Sequence, residues 1–98
     1  MDYAIYETDK ANFTSAAFGP LRYPGGTESY PVNRRLFIWG DIGSGSVSLE
    51  IKMPDGTWET FPELTFTEKT AQDVKLFDEA VVRVVVSGAT SANILVTN

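Results

Sequence analysis

Ser46-Val47-Ser48-Leu49-Glu50-Ile51-Lys52-Met53, running into Pro54-Asp55-Gly56-Thr57, decides the class of fold. In an extended chain Val47, Leu49, Ile51 and Met53 point to one side and Ser46, Ser48, Glu50 and Lys52 to the other, the two-residue period of a half-buried antiparallel strand. Proline, aspartate and glycine then favour a tight turn into a second strand over residues 57–61, so the two segments read as a hairpin. In that phase Trp58 falls with the inward residues and is expected in the core.

Working outward, the same grammar repeats. Leu64 and Phe66, then Val74 and Leu76, give two alternating pairs around the polar residues 67–71. Residues 80–87 hold Val81, Val82, Val84, Val85 and Val86 around Arg83, the strongest β signal in the chain, and the polar stretch 87–91 turns them into a last strand over 92–97. Residues 35–39 form another strand, closed by the glycine and serine segment 40–45. No apolar pattern at helical spacing is long enough for a helix, and turns every 8–12 residues or so suit a sandwich. The expectation is an all-β fold, a single antiparallel two-sheet sandwich of jelly-roll or immunoglobulin-like type, with residues 35–98 as its core.

Residues 1–34 differ. Gly19-Pro20, Pro24-Gly25-Gly26 and Tyr30-Pro31 interrupt any strand there, for example over 13–18, so this stretch reads as an extended N-terminal arm with short strands. It carries Tyr3, Tyr6, Phe13, Phe18, Tyr23 and Tyr30, and an arm this aromatic is expected to dock on something. Arm and core together, at 98 residues, are one domain.

Composition limits the chemistry. The chain has no cysteine and no histidine, which removes disulfides, thiolate or imidazole metal sites and the Cys-His and Ser-His-Asp nucleophile systems. Its net charge is −5, and the excess acid lies after Gly40. Both a phosphate backbone and an anionic membrane reward clustered lysine and arginine, so neither nucleic acid nor membrane is an expected partner. Residues 1–4 carry neither a basic nor an apolar leader, and no run approaches the ~20 apolar residues of a membrane span, so no export is expected.

Carboxylates are the only raw material for catalysis. Glu50 and Glu59 flank the hairpin as a glycosidase pair would, but a solvated outer sheet face accounts for both. Asp78 and Glu79 with Asp41, Asp55 or Asp73 offer hard oxygen ligands without the regular spacing of a calcium loop. Gly43-Ser44-Gly45-Ser46 lacks the lysine and helix of a phosphate cradle. Asn12-Phe13-Thr14 matches a glycosylation acceptor with no secretion signal beside it. The expectation is no enzyme, no metal and no cofactor.

Binding is the better prospect. With Val82, Val84 and Val86 facing the core, Val81, Arg83 and Val85 face outward, an apolar outer surface to be covered by a partner or by the arm. Phe13, Phe18, Tyr23, Tyr30, Val81, Arg83 and Val85 are therefore the expected contact residues. Trp39, with Tyr23 and Tyr30, forms the alternative, an aromatic platform on which a sugar ring could stack.

The serine-glycine loop, Val47-Ser48-Leu49-Glu50-Ile51, Asp55-Gly56-Thr57-Trp58 and Val82-Arg83-Val84-Val85-Val86-Ser87-Gly88-Ala89-Thr90, in that order, resemble the small β-sandwich virion proteins of tailed bacteriophages. The resemblance spans residues 41–98. It implies a non-enzymatic structural protein, most simply a capsid decoration or cement protein assembled into the virion in the host cytoplasm. Its partners would be the major capsid protein or its own copies, within a homo-oligomer or a large symmetric assembly. A carbohydrate-binding module, or a tail or neck fibre component, is the competing reading.

Overall fold

The computed structural model describes residues 3–22 and 32–97. These residues form eight strands: β1 (Tyr3–Lys10), β2 (Phe13–Thr14), β3 (Val32–Asp41), β4 (Ser46–Lys52), β5 (Trp58–Phe66), β6 (Thr70–Leu76), β7 (Val82–Ser87) and β8 (Ser91–Thr97). No helix occurs among the described residues. The strands form two four-stranded sheets, β1-β8-β3-β6 (sheet A) and β2-β7-β4-β5 (sheet B), antiparallel throughout. The fold is all-β and sandwich-like. Every strand is bonded to its mirror image in chain order, first to last, second to seventh, third to sixth and fourth to fifth. Successive mirror pairs fall alternately into the two sheets.

Alternation explains which side chains meet between the sheets. Leu36 and Ile38 of β3 with Ala92, Ile94 and Val96 of β8 supply sheet A's inner face, and Val47, Leu49 and Ile51 of β4 with Val82, Val84 and Val86 of β7 supply that of sheet B. These residues join one buried cluster, and each Ile or Leu in it contributes roughly 1.5–3 kcal/mol by leaving water.

The hairpin turn forms as its residue types require. Met53 N–H donates to the Thr57 carbonyl at 2.7 Å and Gly56 N–H to the Met53 carbonyl at 2.9 Å, with Gly56 at φ 91°, a conformation open to glycine. The Asp55 carboxylate accepts from the Thr57 backbone N–H at 3.0 Å and hydroxyl at 2.7 Å. These bonds, the hydroxyl's first, hold the Asp55 carboxyl below its ordinary value of 3.8.

Three local features differ from the sequence expectation. First, β5 continues to Phe66, because a bulge lets residues 61–64 lie opposite Leu49 alone between the Ser48–Thr65 and Glu50–Thr60 pairs. Pro62 sits in that bulge on an edge strand, where its missing N–H costs no ladder bond. Second, Trp58 lies opposite Lys52 rather than among the inward residues. Its half-buried ring rests under the Arg83 guanidinium, 4.4 Å from ring centroid to Cζ. Third, residues 3–10, expected within an arm, form a full-length strand bonded to β8, while β2 and a bridge from Phe18 to Val82 line the other sheet.

Candidate binding face

Of the exposed large hydrophobic side chains among the described residues, Tyr6 and Trp39 lie on the outer face of sheet A with Tyr3 against Tyr6, while Phe77 lies just past the end of β6. Tyr6, Leu95, Phe37 and Ala71 stand opposite one another on β1, β8, β3 and β6, forming one cross-strand row. Trp39, two residues beyond Phe37 and so on the same face, pairs with Asn93. Tyr3 meets Tyr6 edge-on with centroids 5.5 Å apart, and Tyr6 lies 6.4 Å from Trp39 with the rings tilted by 34°. Tyr6 is 49% exposed and Trp39 39%, and it is their adjacency as a patch, rather than either exposure alone, that is informative.

A polar corner borders the rings. β1 bulges between Glu7 and Lys10, and Asp9 within the bulge takes φ 56°, a left-handed conformation that aspartate tolerates better than most residues. Asp9 N–H donates to Asn93 Oδ1 at 3.1 Å, Asn93 Nδ2 donates to the Trp39 carbonyl at 3.3 Å, and Ser91 Oγ donates to Asp9 Oδ1 at 2.8 Å. The bulge thus ties Asp9 through Asn93 to the Trp39 backbone and fixes its carboxylate on Ser91. On the other side of Trp39, two shallow depressions meet at Lys69. One is lined by Phe37, Trp39 and Ala71, the other by Gly40, Asp41 and Glu68.

Sheet B's outer face is closed by its own polar network. Arg83 Nε donates to Glu50 Oε1 at 2.7 Å and Thr60 Oγ1 to Glu50 Oε2 at 2.9 Å, while the Trp58 ring covers the guanidinium. Val81 and Val85 flank this cluster half-buried, and Phe13 and Phe18 pack partly buried against the core along the β2 margin. Tyr23 and Tyr30 lie outside the described residues. The structure therefore gathers Phe13, Phe18, Val81, Arg83 and Val85 along β2 and β7, and sets Trp39 apart from them on sheet A.

Glu50 and Glu59 are not brought together. Glu50 stands opposite Thr60 and Glu59 opposite Ile51, so the two alternate in direction. Among the described residues no group of three acidic side chains converges as a metal site. Asn12, of the glycosylation pattern, accepts the Gly88 N–H at 2.9 Å. Sequence reasoning counted Tyr6 and Phe37 among the aromatics in and just beyond the arm without assigning them to a site, and missed Asp9. The signal for Phe37 was present: Leu36-Phe37-Ile38-Trp39 is apolar on both faces, as in a strand covered on both sides. Comparison with protein-family models, curated proteins and solved structures finds no match to this chain.

Proposed function

We propose that this chain is a non-enzymatic structural protein of a tailed-phage virion, a decoration or cement protein that binds the capsid in many copies and is assembled with it in the host cytoplasm. The strand order is the observation that carries the proposal. On this reading β1-β8-β3-β6 over β2-β7-β4-β5 is an eight-stranded jelly roll, an architecture recurrent in viral capsid domains. The resemblance of residues 41–98 to phage β-sandwich virion proteins points the same way.

Docking falls to the β2–β7 margin, where Phe13, Phe18, Val81 and Val85 are partly exposed around a pinned Arg83. Half-buried apolar side chains gain burial on a capsid surface that the free chain lacks. Modest contacts repeated around a symmetric shell add by multivalency, and no chemical step is needed.

Quantitative mass spectrometry of purified particles of the encoding phage tests this. Hundreds of copies per particle, in fixed ratio to the capsid subunit, are expected. A few copies would place the chain in the neck or tail instead, and absence from the particle would remove the proposal.

A further inference from the structure

We propose that the outer face of sheet A is a binding site for a neutral oligosaccharide, seated along the groove beside Trp39. The ligand class follows from three observations that converge on this residue. The first is ring exposure: Trp39 and Tyr6 are exposed neighbours with ring centroids 6.4 Å apart, and the C–H face of a pyranose is apolar enough to gain from covering such rings. The second is the polar company. Asp9 is fixed by the β1 bulge and Ser91 and linked through Asn93 to the Trp39 backbone, and a carboxylate with one oxygen engaged keeps acceptor sites that suit hydroxyl donors. The third is shape. The depressions on either side of Lys69 form an open trough past Phe37, Trp39 and Asp41, which suits a chain of sugar units better than an enclosed small molecule.

Charge selects among sugars. Among the residues lining the trough, Asp41 and Glu68 oppose Lys69, on a chain whose net charge is −5. Sulfated, sialylated or phosphorylated glycans would meet a like-signed field within a Debye length of roughly 8–10 Å, whereas neutral ones meet none. A sandwich docked through the β2–β7 margin of sheet B leaves this opposite face turned outward, so the two surfaces do not compete.

The test uses the full chain on a glycan array printed with neutral and anionic oligosaccharides, followed by calorimetric titration of the best neutral probe. Trp39→Ala and Asp9→Asn are compared with the parent, with circular dichroism to verify the fold and light scattering to follow the oligomeric state. The proposal predicts binding restricted to neutral glycans, at least tenfold weaker in Trp39→Ala, partly restored in Trp39→Phe, and weakened in Asp9→Asn. No binding across the array, a preference for anionic glycans, or affinity unchanged by Trp39→Ala overturns it. So does an oligomer that Trp39→Ala dissociates in a protein that binds no glycan, since the face would then join copies of the chain.

Discussion

The Glu50–Arg83 pair offers a quantitative test of how the sheet B face is held. The two side chains are only 16% and 29% exposed, Arg83 reaches Glu50 Oε1 through both Nε and Nη2 at 2.7 Å, and Trp58 covers the guanidinium. Exposed ion pairs contribute about 0.2–1 kcal/mol, and removing one partner of a fully buried pair costs about 3–5 kcal/mol. With exposure between those limits, Glu50→Ala should destabilise the fold by about 1–3 kcal/mol, leaving a half-buried guanidinium without its acceptor. Arg35–Asp73 supplies the internal control: it is a single 3.1 Å contact with side chains 61% and 58% exposed. Double-mutant cycles by urea denaturation should give a coupling of about 1–2 kcal/mol for Glu50/Arg83 and below about 0.5 kcal/mol for Arg35/Asp73. Raising the salt to 1 M should erase the second and leave most of the first. Equal couplings, or a Glu50/Arg83 coupling lost in salt, would refute the argument that burial and the Trp58 cover set the strength of this pair.

Two further outcomes follow from local geometry. Gly45 is buried, and a methyl group there would run into the backbone of Ser87, Gly88 and Ala89, so Gly45→Ala should cost about 1–3 kcal/mol and lower Tm by roughly 4–8 °C per kcal/mol, read by calorimetry. Asp55 has a folded pKa below 3.8 because Thr57 bonds its charged form, so its contribution is present above pH 3.8 and lost as pH falls through the lower folded value. Thermal melts from pH 6 to 2 should therefore show Asp55→Ala less stable than the parent near neutrality, with the gap closing toward pH 2. A constant gap contradicts the assignment.

Much of the fold was legible because it is written locally. The alternation in β4, the Pro54-Asp55-Gly56 turn and the valine phase in β7 each depend on neighbours in sequence, and Val82, Val84 and Val86 are buried as that phase requires. What was not legible depends on register between strands. Trp58 faces outward because the hairpin sets it opposite Lys52, and Glu59 misses Glu50 for the same reason. Pro62 reads as a strand breaker, but at an edge bulge it breaks nothing. Tyr6 and Asp9 looked like parts of an arm because β1 shows little alternation of its own; its pairing with β8, more than eighty residues away, supplies the order. The binding face was half visible: Trp39 was named, whereas the residues beside it come from β1, β6 and the turn before β6, which only the sheet brings together.

The proposed adhesion to a capsid is tested most directly by co-sedimentation of the purified chain with undecorated phage heads. The account predicts saturable binding at a fixed ratio to capsid subunits, heads that survive heating better once decorated, and loss of both in a Val81→Asp, Val85→Asp double variant that still folds. A chain that stays in the supernatant at every concentration, or a variant that binds as well as the parent, would contradict it.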